Sequence, residues 1–199
     1  MRIDENKSKR IIEYVLKTFM TSGFSRVTMD DIARGVGMGK GTLYELFPSK
    51  QALIMSSIDF LEAKMSAMLE SILSDEGLSA VDKLKEFLKT VSEQLPFLKP
   101  NALADIERSM PEVYDKINQT RQRIITAKLV RLLDDGKKSG IYDPLMDERL
   151  VAHIVIGAVR HITQTQVMST LDYTFDRIFS SILSIILKGC LTEENRHLI

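Results

Sequence analysis

Lys40, Gly41, Thr42 and Tyr44, with Thr28 upstream and Ser49-Lys50 downstream, are the residues of this chain whose types and spacing can do chemistry. The chemistry is recognition of a polyanion. A lysine ammonium donates to the O6 and N7 acceptors of guanine, and a threonine hydroxyl serves either kind of base edge. Glycine beside them lets a backbone approach a groove closely. The hydroxyls of Thr28 and Tyr44 and the ammonium of Lys50 suit phosphate oxygens, helped by the open N–H groups of helix starts. Lys40, Gly41 and Thr42 are therefore candidate base contacts, and Thr28, Tyr44 and Lys50 candidate phosphate contacts. Glu45 stands in the same run. It repels phosphate, so a solvated helix face suits it better than a hydrogen bond from a cytosine amino group.

Two short helices must position these groups. Met29, Ile32, Ala33 and Val36 fall at i, i+3, i+4 and i+7, one face of a helix. Thr28 is its natural N-cap, and Asp31 three residues on makes a shortened capping box. Gly37 follows the last apolar residue, where a left-handed residue ends a helix. A second helix carries Leu43, Leu46 and Phe47 inward and leaves Lys40, Thr42 and Tyr44 outward. Ser49 is the expected N-cap of the next helix. The pattern is that of a helix-turn-helix, whose second helix enters the DNA major groove. An ordinary helical hairpin shares the spacing.

The stretch from Thr28 to Lys50, with Gly23-Phe24 before it, resembles the DNA-binding domain of TetR/AcrR-type transcriptional repressors. The residues that carry the resemblance are Gly23-Phe24, Thr28, Ile32-Ala33, Gly37, Lys40-Gly41-Thr42-Leu43-Tyr44, Phe47 and Ser49-Lys50. Beyond them the chain resembles the family in length and helical pattern only. Gly39 departs from the family pattern, standing where Ser or Thr usually caps the recognition helix; glycine there costs a few tenths of a kcal/mol. Glu45 and Leu46 replace the usual His and Tyr. The resemblance implies an all-α fold. A three-helix, helix-turn-helix head spans 1–48, and a larger helical effector-binding and dimerisation domain spans 49–199, about nine helices in all.

Composition agrees. The chain has 199 residues, 44% hydrophobic and 27% charged, ordinary for a globular protein. One cysteine, Cys190, excludes an intramolecular disulfide or a cysteine zinc cluster, and three scattered histidines give no metal-ligand spacing. No cofactor is expected. The charged start and the short apolar runs predict no signal region and no membrane span, and so a cytoplasmic protein. Net charge is zero, but residues 1–50 hold nine Lys and Arg against six Asp and Glu, and the rest carries the opposite excess. Arg2, Lys7, Lys9 and Arg10 read as a basic arm ahead of the first helix, reaching a DNA backbone or groove; a frayed, solvated terminus has the same composition.

The rest reads as helix. Ile11, Ile12, Val15, Leu16, Phe19 and Met20 form one apolar face that ends at Gly23. A head this small is expected to pack on helices beyond its own three. A long helix from Ser49 through Ile72 links the head to the second domain. The last two helices are apolar on more than one face, which calls for burial on more than one side. Ile154, Gly157, Ala158, His161, Phe179, Ile182 and Ile186 are the expected dimer contacts. The resemblance implies that this pair meets its two-fold mate as a four-helix bundle; a purely intrachain core is the alternative.

A small-molecule effector is implied by the resemblance too. Phe60, Met65, Phe87, Tyr114 and His153 are pocket candidates, although core packing is the commoner role for each. His153 sits in an apolar run, as a satisfied core histidine, a pocket hydrogen-bonder or a ligand to a metal or haem. Nothing points to an enzyme. Gly37-Met38-Gly39-Lys40-Gly41 lacks the spacing and preceding strand of a phosphate loop, and adjacent Asp30 and Asp31 do not share a helix face. The expected function is a dimeric, ligand-responsive regulator, a repressor by family default, on a palindromic operator. The alternative is a helical dimeric adaptor that never touches DNA.

Overall fold

The computed structural model describes residues 5–23, 25–94, 100–162 and 175–198; Phe24, Phe97 and the side chains of Leu103 and Phe179 lie outside that description. Among the described residues there are nine α-helices: α1 Glu5–Ser22, α2 Met29–Gly35, α3 Lys40–Leu46, α4 Lys50–Leu73, α5 Ala80–Gln94, α6 Pro100–Ser109, α7 Pro111–Lys138, α8 Glu148–Ile162 and α9 Phe175–Cys190. A 3-10 turn, Glu193–Leu198, comes after them. Lys7, Lys9 and Arg10 lie inside α1, which corrects the expected basic arm. Lys, Arg and Glu are good helix formers, so the charged run extends the helix rather than preceding it.

The chain divides into two compact units, Met1–Ser66 with Leu95–Arg121, and Ala67–Gln94 with Gln122–Ile199. In the first, helices of seven residues cannot hold themselves in water. They persist because Met29, Ile32, Ala33 and Leu43 are buried with Val15, Phe47 and Leu53. Burying an Ile or Leu side chain contributes roughly 1.5–3 kcal/mol. Ile106 of α6 and Val113 and Ile117 of α7 complete this core, so the head is not closed by its own three helices. Asp105 of α6 also reaches the loop after α1, accepting from the Ser25 amide and hydroxyl at 2.7 Å each.

In the second unit Leu69, Leu84, Phe87, Leu129, Leu132 and Leu133 are fully buried. Glu70 of α4 accepts from Lys128 and, at 2.7 Å, from Arg131 of α7, and the two cations hold its carboxyl below the usual range. Tyr142 reads from sequence as part of a turn, yet it is fully buried and pairs with Leu191 in an isolated antiparallel bridge. Its ring lies where a side chain on Gly136 would have to be: a Cβ there would meet a ring carbon at 2.2 Å. Burial pushes the phenol far above its ordinary pKa. Helices α8 and α9 pack together. Ala152 and Val155 turn inward, while Leu150, Ile154 and Ile185 are left 58%, 50% and 74% exposed.

Candidate nucleic-acid interface

The turn between α2 and α3 is built as its residue types require. Thr28 Oγ1 accepts from the Asp31 amide at 3.2 Å, and the Asp31 carboxylate accepts from the Thr28 amide at 3.1 Å, a complete capping box. The Thr28 hydroxyl and then its amide, both donating to the Asp31 carboxylate, hold that carboxyl below its ordinary pKa. Val36 ends α2, and Gly37 comes next at φ +69°, the left-handed region that glycine enters without strain. Gly39 is the N-cap of α3 and, lacking a side chain, gives no cap bond. Leu43 and Phe47 are buried, Leu46 half-buried.

The candidate contacts differ in exposure. Lys40, Gly41 and Thr28 are exposed, Tyr44 is 40% exposed, and Thr42 is half-buried. Lys40 and Tyr44 are one turn apart on α3, hence on one side of it. A Cβ built on Gly41 would meet nothing within 4 Å. Ser49 Oγ accepts from the Ala52 amide at 3.0 Å, confirming Ser49 as the cap of α4 and placing half-buried Lys50 at its first position. Burial holds the Lys50 ammonium below its ordinary range, and nearby Asp105 opposes that shift. Sequence reasoning missed Asp30. Its carboxylate lies 2.7 Å from the Lys40 ammonium and raises the lysine's pKa. Thr28 is also more committed than its type suggests, since its hydroxyl donates to Asp31 at 2.6 Å.

The pocket candidates are not gathered in one unit. Phe60 and Tyr114 lean on the core of the first unit, Met65 is half-buried in the same unit, and Phe87 is fully buried in the second. His153 needs correction: it is exposed, not a core histidine. Its apolar neighbours misled, because part of the apolar surface of α8 is uncovered. His153 lies on that side with Leu150, Ile154, Gly157 and His161, all exposed. Ala158, Ile182 and Ile186 are half-buried.

Among the described residues no helix is long and apolar enough to cross a membrane, and no cluster of His, Cys, Asp and Glu could hold a metal ion. An all-helical chain that presents a capped, glycine-turned helix pair in this way is a helix-turn-helix DNA-binding regulator by class. Similarity to known proteins fixes the family. The model of bacterial regulatory proteins of the tetR family matches residues 11–55, and that of the YsiA-like protein C-terminal region matches residues 61–189. The HTH-type transcriptional regulator YhgD of Bacillus subtilis strain 168 is 30% identical over 162 residues, 78% of this chain and 81% of its own. A transcriptional regulator from Cytophaga hutchinsonii shares the fold with a TM-score of 0.80 at 21% identity, over 94% of this chain and 100% of its own. The transcriptional regulator FadR of Bacillus subtilis, solved in complex with stearoyl-CoA, does so with a TM-score of 0.66 at 23% identity, over 91% and 98%. The chain belongs to the tetR family of bacterial transcriptional regulators.

Proposed function

We propose that the chain is a dimeric repressor that grips a palindromic operator and is released by a small-molecule effector. The observation that carries the DNA reading is the outward row Lys40, Gly41 and Tyr44 on a helix whose opposite side is pinned by Leu43. Lys40 and Thr42 meet base edges, with Gly41 allowing close approach. Thr28, Tyr44 and Lys50 hold phosphates. The exposed apolar side of α8, with Ile154, Gly157 and His161, and the faces of α9 bearing Ile182 and Ile186 meet a second copy. Such a copy sets two heads at the spacing of two half-sites. The protein acts where bacterial DNA is, in the cytoplasm, and as a regulator rather than an enzyme.

The effector is an amphiphile with a long apolar tail. Support comes from the FadR likeness, which spans nearly the whole chain in a protein solved with stearoyl-CoA. Half-buried Phe60, Met65 and Tyr114 are the pocket candidates that remain adjustable, whereas Phe87 is core. Coupling between effector and DNA is typically about 1–3 kcal/mol, a 5- to 150-fold change in affinity. Titrating the protein onto its selected duplex with and without stearoyl-CoA tests this. Affinity is expected to fall by a factor within that range; equal affinity with and without stearoyl-CoA contradicts the effector assignment and leaves DNA binding standing.

A further inference from the structure

The lysine at the start of the recognition helix is already engaged. Its ammonium lies 2.7 Å from one oxygen of Asp30 and 2.8 Å from the other. Asp30 is not needed to cap α2, because Thr28 and Asp31 close that capping box between them. Lys40 is flanked by two glycines, of which Gly39 gives no cap bond and a Cβ on Gly41 would meet nothing within 4 Å. Both members of the pair are half in water, 58% and 50% exposed, so the contact exchanges readily.

We propose that Asp30 is a specificity-determining residue of the DNA-binding face, holding Lys40 for a base edge and withholding it from phosphates. This rests on the reading of Lys40 as a base contact. The Lys40 ammonium has two possible destinations on DNA. Binding to arbitrary duplex is driven almost wholly by cations meeting phosphates. If Lys40 leaves Asp30 for a phosphate, the carboxylate is stranded in the negative field of the backbone. Guanine O6 and N7 are uncharged acceptors, and an ammonium has three donors. Lys40 can therefore keep Asp30 with one donor and read guanine with the others. The carboxylate penalises arbitrary sequence more than the operator.

The test is a binding titration of the full chain on two duplexes of equal length. One is a palindrome selected from random DNA by the wild type, the other its scrambled counterpart. Wild type, Asp30→Asn, Asp30→Glu and Lys40→Ala are compared from about 50 to 200 mM salt. Asp30→Asn should bind the scrambled duplex up to about fivefold tighter, the scale of one exposed ion pair, and lower the ratio of operator to scrambled affinity by a similar factor. Its salt slope on the scrambled duplex should steepen by about one ion. Asp30→Glu should keep most of the discrimination. If Lys40→Ala collapses the ratio and Asp30→Asn leaves it unchanged, Asp30 has no such role while Lys40 still reads bases. If neither variant changes the ratio, both assignments fall. Loss of binding to both duplexes in Asp30→Asn also overturns the proposal, since removing a filter raises unselective affinity.

Discussion

Gly41 isolates the difference between what the fold requires and what a partner requires. A Cβ at this position would touch nothing within 4 Å, and the residue has no positive φ. The helix itself would be better served by alanine. On the proposed function, glycine there serves the close approach of DNA. Gly41→Ala should therefore raise stability by about 0.4–1 kcal/mol in denaturant unfolding. It should weaken operator binding by about 1–3 kcal/mol, the scale of one mismatched base pair. Gain of stability with unchanged affinity would contradict the contact. At this scale the sequence was legible wherever chemistry is local. Thr28, Asp31, Gly37 and Ser49 do what their types and spacing indicate. Asp30 was illegible because its partner is ten residues on, across a turn, where no periodicity rule applies. His153 was misread because an apolar neighbourhood in sequence indicates an apolar surface, not whether anything covers it.

At the scale of elements, periodicity located the helices, and α1 and α2 bury the faces it predicts. What periodicity cannot show is which helices close the head. Ile106, Val113 and Ile117 come from α6 and α7, far along the chain, and Asp105 fastens the loop after α1 across a separation of 80 residues. Such contacts depend on tertiary placement alone. They give α6 a hold on the head separate from the covalent link through α4. Asp105→Ala should cost about 1 kcal/mol of stability, the net worth of hydrogen bonds to an exposed charged group discounted for water. It should also speed amide exchange at Ser25 while the amides of Ile32 and Leu53 stay protected. Unchanged exchange at Ser25 would show that the loop is held by something else.

At the scale of the whole molecule, zero net charge conceals a basic first quarter and an acidic remainder. The excess in the head is small, so two heads acting together are needed for a long-lived complex. Uncovered Leu150, Ile154 and Ile185 on two helices are the surface that a second copy would occupy. Ile154→Glu with Ile185→Glu should yield a folded monomer by sedimentation and abolish preference for a palindrome over a single half-site. A dimer that survives both changes would place the interface elsewhere. The uncovered face was half legible: apolar residues on more than one side of a helix call for a second burial, but the inward and outward sides separate only once Ala152 and Val155 are seen to be buried.

On the proposed function, this chain reads a two-fold DNA sequence through the start of α3. Selection of bound duplexes from a random pool by the full-length protein, repeated with Lys40→Ala, tests it most directly. The wild type should enrich a palindrome whose half-sites lie about 10 base pairs apart or a multiple of that, and Lys40→Ala should lose the enrichment while staying folded. A wild-type pool no different from its starting sequences would contradict it.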